Sequence, residues 1–181
     1  GDDKRHFYMQ KTLEFACDTK QRQSQLKVIE IGSWAGSSAI TLGNYIQSKL
    51  NGRGVLLCVD PWEIYLNETD NMKLSAPYMD MTRATENNKI FNLFLHNIKI
   101  AGLSNIVIPI KGNTLAVLPL LKDGIDYAFI DGSHYYENVI QDIRLLQPLI
   151  KVGGVLAGDD LELQSHQLHG LDMSLFENHD C

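Results

Sequence analysis

The chain has 181 residues, 44% of them hydrophobic and 21% charged, a composition that is ordinary for one soluble globular domain with a single core. Its formal net charge of −6 argues against nucleic acid as the main partner, because no basic stripe is present to neutralise phosphates. No apolar run approaches the roughly 20 residues that a membrane span needs, and the polar N-terminus does not have the pattern of a signal peptide. Three scattered cysteines without a C-x-x-C pair favour a reducing compartment, so we expect a cytoplasmic protein without a membrane partner.

The first predicted element is a helix over residues 4–22, within an N-terminal segment that we place at 1–25. Apolar residues such as Phe7 and Leu13 recur in this segment, and we expect the helix to pack on one edge of a sheet. Such a helix could also close over a substrate, although packing alone explains its pattern.

Residues 28–40 form the motif around which the chain is organised. A short apolar run over 28–31 is interrupted by Glu30, and it is followed by Gly32, Gly36 and helical periodicity over 37–50. The G-x-x-x-G spacing differs from the G-x-G-x-x-G dinucleotide fingerprint, and the lack of a Lys-Ser/Thr pair after Gly36 excludes a P-loop. A carboxylate two residues before the turn would repel a pyrophosphate, but it suits a ligand with a positive charge and hydroxyl or amino donors. The motif therefore indicates S-adenosylmethionine rather than NAD or ATP, and it disfavours an NAD-dependent oxidoreductase.

A second buried strand is predicted over 55–59, and it is followed by Asp60, Pro61 and Trp62. An acid at the carboxyl end of this strand is where a nucleoside-binding sheet holds the ribose hydroxyls, so we interpret Asp60 as a ribose ligand. The alternative is that Asp60 only begins a turn before Pro61. The irregular stretch 63–80 that follows is a candidate lid over the substrate.

Strands and helices go on alternating through the rest of the chain. We predict strands over 105–110, 125–130 and 155–157, helices over 81–101, 115–121 and 135–150, and a turn over 151–154. Asn113 and Thr114 precede the short helix over 115–121, where they could cap it, lie beside an adenine, or do both. The β-α-β-α order predicts one α/β domain over 1–181, with a Rossmann-like, doubly wound and mostly parallel sheet.

Five acids fall at or just after predicted strand ends: Glu30, Asp60, Asp131, Asp159 and Asp160. Because the carboxyl ends of parallel strands lie at one edge of the sheet, these charges would repel one another unless cations sit among them. We expect the sulfonium and ammonium groups of S-adenosylmethionine near Glu30. A hard divalent ion, Mg²⁺ above all, is expected near Asp131, Asp159 and Asp160. The alternative for the last two acids is that they cap a following helix.

His134, just after the fourth predicted strand, is the predicted general base. An imidazole with an ordinary pKa of roughly 6.5 accepts a proton from a hydroxyl near neutral pH, and a divalent ion would lower the pKa of that hydroxyl. The alternative is that His134 packs or hydrogen-bonds at the start of a helix. Asp131 and His134 are therefore the predicted catalytic residues.

Together these stretches resemble the class I S-adenosylmethionine-dependent methyltransferases, most closely the catechol O-methyltransferase-like enzymes and related bacterial small-molecule O-methyltransferases. The resemblance covers residues 26–161 and is carried by the stretches 28–39, 59–62, 129–136 and 151–160. It implies the fold of that class, and it implies that Asp131 and the pair Asp159 and Asp160 hold a metal, although Asn is common at the last position. The general base of those enzymes is usually a Lys where this chain has His134.

The resemblance also implies a set of cofactor-binding residues. The methionine and ribose side would be lined by Glu30, Gly32, Ser33, Trp34, Gly36 and Ser38. Asp60 would hold the ribose hydroxyls, and the adenine would lie near Pro61, Trp62, Asn113 and Thr114. Asp131 would border the cofactor as well as the metal.

Residues 161–181 contain no two recognisable strands, whereas class I methyltransferases usually end in a strand hairpin. Either the sequence is a fragment or this member lacks the hairpin, and a sheet truncated there would expose an edge for a partner chain or a second copy in a homodimer. The predicted function is metal-assisted O-methylation of a small molecule by S-adenosylmethionine. The alternative is a non-catalytic cofactor-binding domain, or a part of a larger protein.

Overall fold

The computed structural model describes residues 3–18, 25–63 and 76–159. Within them lies a five-stranded, fully parallel sheet with the strand order β3-β2-β1-β4-β5. The strands are β1 (Leu26–Ile31), β2 (Gly54–Asp60), β3 (Val107–Lys111), β4 (Ile125–Ile130) and β5 (Ile150–Gly158). The predicted doubly wound α/β fold is thereby confirmed, while the prediction about a C-terminal hairpin concerns residues outside the described ranges.

The helices of these ranges are α1 (Asp3–Asp18), α2 (Ser37–Lys49), α3 (Ala76–Thr85), α4 (Lys89–Ile100), α5 (Thr114–Val117) and α6 (Tyr136–Leu146). Short 3₁₀ turns follow three of them, at Glu86–Asn88, Leu118–Leu120 and Gln147–Leu149. No described helix has the length and apolar character that crossing a membrane requires. Residues 64–75, the greater part of the candidate lid, lie outside the described ranges, so the lid stays a prediction.

Helices cover both faces of the sheet, as the alternation of side chains along a strand requires. Val28 of β1 points into a core shared with α1, α2 and α4, whereas its neighbour Ile29 points into a second core beside α5 and α6. β4 is buried along its whole length, as expected of a central strand in a parallel sheet. α1 contacts α2, β4 and β5 and buries Met9 and Leu13, which confirms that the first helix packs on the sheet.

The structure corrects two predicted elements. The helix predicted over 81–101 is two helices, because Asn87 and Asn88 adopt left-handed φ angles of 53° and 57° between α3 and α4. Asparagine tolerates this conformation better than most residues, since its short polar side chain can hydrogen-bond locally. The turn predicted over 151–154 is instead an irregular part of β5, which begins at Ile150.

The irregular part of β5 lies opposite Asp126 of β4. Ile125 pairs with Ile150 and Tyr127 pairs with Val155, so residues 151–154 stand opposite one residue of β4. The buried Asp126 carboxylate binds Lys151 Nζ at 3.1 Å through Oδ1, and its Oδ2 accepts the backbone N–H of Lys27 at 2.8 Å. These two partners compensate the burial of the charge, and they hold the bulge against the sheet.

Candidate active site

A cavity of about 530 Å³ opens at the carboxyl ends of the strands, a size that is usual for a small-molecule site. Its wall comes from the loops after β1, β2, β3 and β4, together with α1 and α6. The predicted site residues in this wall are Gly32, Ser33, Trp34, Ser38, Asp60, Pro61, Asn113, Thr114, Asp131 and His134. The described residues Glu30, Gly36, Trp62 and Asp159 stand behind or beside it. Asp160 lies outside the described residues.

Gly32 brings the loops after β1 and β4 into contact. Its φ is +84°, and a Cβ added there would lie 2.1 Å from the carbonyl oxygen of Asp131. The Asp131 N–H in turn donates to the carbonyl of Ile31 at 2.8 Å. A side chain at position 32 would push these two loops apart, so the first glycine of the motif is required by the close backbone approach.

Asp60 at the end of β2 holds the glycine turn through its carboxylate. Oδ2 accepts the backbone N–H of Trp34 at 2.8 Å, and Oδ1 accepts that of Trp62 at 2.6 Å. Burial raises the pKa of Asp60, and these backbone donors, with that of Ser33, oppose the rise. A carboxylate has about four acceptor positions, so these three donors leave about one for a ligand. We call Gly32, Ser33, Trp34 and Asp60 the turn side of the cavity.

Glu30 lies behind the turn and not in the cavity wall. Glu30 is two residues after Val28 in β1, so both side chains point to the same face of the sheet. The Glu30 side chain is therefore buried on the α2 face. Its Oε2 accepts the Ser33 hydroxyl at 2.5 Å and the Cys58 thiol at 3.4 Å. Burial raises the pKa of Glu30, whereas the hydrogen bonds from Ser33, Ser38 and Cys58 lower it. The sequence predicted that Glu30 lines the cavity. In the structure it lies behind the turn and holds it through Ser33.

Gly36 and Trp62 also support the turn from outside the cavity wall. Gly36 has a φ of +89°, and a Cβ there would lie 3.0 Å from the ring of Phe94. Trp62 is 1% exposed, and its ring centroid lies 4.6 Å from that of Phe91 and 5.0 Å from that of Phe94. Its indole N–H donates to the carbonyl of Trp34 at 2.8 Å. Both predicted cofactor contacts are therefore packing residues beneath the turn.

The loop after β3 is tied to α6 by a buried carboxylate. Asn113 caps α5, its Oδ1 accepting the N–H of Ala116 at 2.9 Å, and it also lines the cavity. Thr114 donates its hydroxyl to Oδ1 of Asp142 at 2.5 Å, and Asp142 is only 5% exposed. Burial raises the pKa of Asp142, and the Thr114 hydroxyl opposes that rise. The prediction that Asn113 caps the helix is therefore confirmed, and the same residue also lines the cavity.

Arg5 of α1 is the cation that the strand-end acids require. One guanidinium nitrogen binds Asp131 Oδ2, and another lies 2.8 Å from Asp159 Oδ2. The guanidinium carbon stands 5.9 Å from the centre of the Phe129 ring. Arg5 also lines the cavity, which places α1 at the site. We call Arg5, Asp131, His134 and Asp159 the acid side of the cavity.

The carboxyl group of Asp131 has a strongly perturbed pKa. Burial raises the pKa of Asp131 to about 7, with Asp159 and Glu30 adding to the rise and the Arg5 guanidinium opposing it. Perturbed carboxyl groups in a cavity are typical of functional sites. His134 lines the same cavity three residues later, in the loop between β4 and α6. The two predicted catalytic residues are therefore brought to one wall.

The donor set of the acid side determines whether a metal would fit there. Asp131 and Asp159 converge on one cation, the Arg5 guanidinium, and carboxylate oxygens are the hard ligands that Mg²⁺ takes. Among the described residues, no group of three His, Cys, Asp or Glu side chains could hold a metal ion, and the third predicted ligand, Asp160, is not one of those residues. The described residues thus supply two of the three predicted ligands, and Arg5 holds both of them, so the metal stays a prediction.

Sequence reasoning missed Arg5 and Asp142. The mutual repulsion of the strand-end acids predicts a cation, and Arg5 of the N-terminal helix supplies one. Asp142 lies at a helical position among apolar residues of α6, where an acid on the inward face would have been a usable signal.

Comparisons with known proteins agree with this architecture. Residues 29–161 match the family model described as Methyltransferase domain. Protein R132 of Acanthamoeba polyphaga mimivirus, which is itself uncharacterized, is 29% identical over 160 residues, or 87% of this chain and 59% of R132.

Two solved structures of methyltransferases share the fold. The O-methyltransferase NovP has a TM-score of 0.66 at 18% identity, over 87% of this chain and 64% of NovP. The calicheamicin methyltransferase CalS11 has a TM-score of 0.54 at 15% identity, over 88% of this chain and 65% of CalS11. At such identities the likeness establishes the fold alone. The chain spans less than two thirds of each of these three proteins.

Proposed function

The chain belongs to the methyltransferase domain family that its residues 29–161 match, and from this membership we propose that it transfers a methyl group from S-adenosylmethionine to an oxygen of a small molecule. The observation that carries the proposal is the shared cavity. Its turn side offers the remaining acceptor position of Asp60, and its acid side offers Asp131 and His134. One cavity therefore has groups suited to hold a methyl donor and groups suited to activate an acceptor.

The donor is proposed to lie along the turn side and the loop after β3. Asp60 accepts a ribose hydroxyl with the acceptor position that its backbone donors leave open. The methionine part lies against Gly32, Ser33 and the start of α2 at Ser38. The adenine lies by Pro61, Asn113 and Thr114, which line the cavity.

The transfer is proposed to take place on the acid side. The hydroxyl oxygen of the acceptor bonds to the methyl carbon while the carbon–sulfur bond breaks, and the electron pair of that bond stays on sulfur. The hydroxyl proton passes to the His134 imidazole, and the products are a methyl ether and S-adenosylhomocysteine. The alignment of oxygen, methyl carbon and sulfur is work that a preformed cavity can do.

A divalent ion belongs to this proposal at the acid side. Asp131 and Asp159, together with Asp160, are the residues that would hold it. Such an ion, when bound, lowers the pKa of a coordinated hydroxyl and orients it. The choice of oxygen over nitrogen as acceptor, and of a small molecule as substrate, rests on the sequence resemblance and on the small-molecule size of the cavity.

The second candidate function is a domain that binds the cofactor without catalysis. One observation favours it, namely that Arg5 already neutralises Asp131 and Asp159 at the place where an acceptor would be activated. Methylation of any hydroxyl compound by the protein would exclude this candidate.

Binding of S-adenosylhomocysteine, measured by calorimetry, tests the proposal. We expect the protein to bind it and Asp60→Asn to bind it about 10- to 100-fold more weakly, because both the ribose and the backbone N–H groups of the turn lose charge-assisted hydrogen bonds. Glu86→Gln is the matched control, since it removes an exposed acid outside the cavity wall. The proposal is wrong if the intact protein does not bind S-adenosylhomocysteine, or if Asp60→Asn binds it as tightly. Transfer of a labelled methyl group to a panel of hydroxyl and amino compounds then separates oxygen from nitrogen acceptors.

A further inference from the structure

Asp142 is a buried carboxyl group of the cavity wall for which the proposed transfer has no use. It lies on α6 and lines the cavity, although it is only 5% exposed. Its Oδ1 accepts the Thr114 hydroxyl at 2.5 Å, whereas Oδ2 has no hydrogen-bond partner among the residues that the structure describes. Buried polar atoms in folded proteins almost always have a partner. One oxygen of Asp142 therefore lacks the donor that its burial requires.

Oδ2 of Asp142 lies where a ligand in the cavity can reach it. Thr114 fixes the carboxyl group from the loop after β3, and a Cβ added to Gly132, in the loop after β4, would lie 3.9 Å from Oδ2. Thr114 and Gly132 both line the cavity. Oδ2 also retains accessible surface, in contrast to Oε1 of Glu30, which is fully enclosed. The open oxygen is therefore next to the space between the loops after β3 and β4.

The surroundings of Oδ2 determine which ligand group it can take. A carboxylate accepts hydrogen bonds and donates none, so it requires an N–H or O–H group and repels a lone pair. Arg5 is the only Lys or Arg among the described residues of the cavity wall, and it binds Asp131 and Asp159 instead. We therefore expect the donor for Oδ2 to come from the ligand.

Adenine carries a suitable donor in its 6-amino group, whereas its ring nitrogens N3 and N7 are acceptors. The proposed function places the adenine by Asn113 and Thr114, and Thr114 is the residue that binds Asp142. We propose that Oδ2 of Asp142 accepts a hydrogen bond from the 6-amino group and thereby selects adenine over bases that have an oxygen at that position. This rests on the proposed function, since it concerns the adenine end of the same cavity.

The base preference of the unaltered protein is the first measurement. S-Inosylhomocysteine has an oxygen in place of the 6-amino group of S-adenosylhomocysteine, so it would direct a lone pair at Oδ2. A site that binds an N–H group rejects an analogue without it, and we expect S-inosylhomocysteine to bind about 10- to 100-fold more weakly. Burial raises the pKa of Asp142, so calorimetry at pH 8 is chosen to favour the ionised form. Equal affinities for the two ligands overturn the proposal.

Asp142→Asn assigns the preference to this residue. The asparagine keeps an oxygen for the Thr114 hydroxyl and replaces Oδ2 by an amide nitrogen, which donates. We expect S-adenosylhomocysteine to bind about tenfold more weakly, and its advantage over S-inosylhomocysteine to be lost or reversed. Glu137→Gln is the matched control, because it removes an exposed acid from the same helix outside the described cavity wall. It should leave both affinities unchanged.

A change in base preference separates recognition of adenine from a purely structural role of Asp142. A substitution that only loosened the loop after β3 would weaken the binding of both ligands to the same degree. Loss of the preference in Asp142→Asn, with Glu137→Gln unchanged, supports the proposal. A preference that survives in Asp142→Asn overturns it, and so does an equal loss of preference in Glu137→Gln.

A second measurement on the unaltered protein applies even if Asp142→Asn fails to fold. The side-chain carboxyl carbon of Asp142, assigned in carbon-13 NMR spectra through its correlation with the backbone, should shift when S-adenosylhomocysteine binds and shift less when S-inosylhomocysteine binds. Equal shifts, or no shift, overturn the proposal. Failure of the proposed function shows separately, as the absence of S-adenosylhomocysteine binding, whereas failure of this inference alone leaves that binding intact without a base preference.

Discussion

The turn side and the acid side of the cavity hold their carboxylates in different ways. On the turn side, Asp60 is held by backbone N–H groups of Trp34 and Trp62, 26 and 2 residues away in the sequence. On the acid side, Asp131 is held by the side chain of Arg5, 126 residues away. Backbone donors are fixed by the fold, whereas an arginine side chain has several rotatable bonds. The comparison indicates a rigid half that would hold a cofactor and an adjustable half that would admit an acceptor.

Gly32→Ala should give the largest effect, because it acts where the two sides meet. A Cβ at position 32 would lie 2.1 Å from the Asp131 carbonyl, and the φ of +84° is unfavourable for alanine. We expect a loss of about 3 kcal/mol or more in the free energy of unfolding, together with loss of S-adenosylhomocysteine binding. Urea unfolding and calorimetry measure these two quantities.

Gly102→Ala is the matched control for that substitution. Gly102 has a similar φ of +72°, but nothing lies within 4 Å of the Cβ position. Gly102→Ala should therefore lower the free energy of unfolding by only about 1 kcal/mol, the cost of a left-handed backbone conformation for alanine. Equal losses for the two variants would mean that the contact between the loops is not what requires glycine at position 32.

Arg5→Gln should give the next largest effect, and one that depends on pH. Burial raises the pKa of Asp131 to about 7 although Arg5 lowers it, so removal of Arg5 should raise this pKa further. Between about pH 4 and pH 7 the folded protein holds a proton that the unfolded chain has released, so the contribution of Asp131 to stability falls as pH rises through that window. We expect Arg5→Gln to be about 2 kcal/mol less stable than the unaltered protein at pH 8, with a smaller difference at pH 5, where Asp131 is protonated.

Urea unfolding of both proteins at pH 5 and pH 8 measures this difference, and titrating groups that Arg5 does not contact cancel in the comparison. Lys11→Gln should show little change at either pH, since the Lys11–Glu14 pair is exposed on α1. A stability difference for Arg5→Gln that is the same at both pH values would show that the guanidinium does not act through the ionised carboxylate of Asp131.

The same contrast explains what the sequence could predict. β1, β2 and β4 were predicted to within two residues, because buried parallel strands are continuous apolar runs bounded by turn residues. The turn side comes from the two short stretches 28–39 and 59–62, and their resemblance to class I methyltransferases named Gly32, Ser33, Trp34 and Asp60, which all line the cavity. The acid side depends on where the end of an arginine side chain lies, and no pattern within residues 4–22 encodes that. Side chains alternate between the two faces of a strand, so Glu30 lies on the same face of β1 as Val28. This alternation would have predicted that Glu30 faces the core and not the cavity.

Thr114→Val tests how Asp142 ties the loop after β3 to α6. The variant removes the hydroxyl that donates to Asp142 at 2.5 Å and leaves a 5% exposed carboxyl group without that donor. We expect a loss of about 1 to 2 kcal/mol in stability and a weaker affinity for S-adenosylhomocysteine, because the loop after β3 is no longer tied to α6. Thr114→Ser keeps the hydroxyl and should restore both quantities. If Thr114→Val binds the ligand normally, the Asp142 contact matters for stability alone.

Asn113→Ala should have the smallest effect on stability. Its effect on the affinity for S-adenosylhomocysteine should be larger. The cap is worth about 1 kcal/mol at most here, since α5 has a single turn and the Asn113 carbonyl also accepts the Ala116 N–H at 3.2 Å. Asn113→Ser keeps a capping oxygen but loses the carboxamide that reaches the cavity. If Asn113 contacts the adenine, serine restores stability without restoring the affinity for S-adenosylhomocysteine. If Asn113 only caps α5, serine restores both, and the adenine must be held by other residues of the wall.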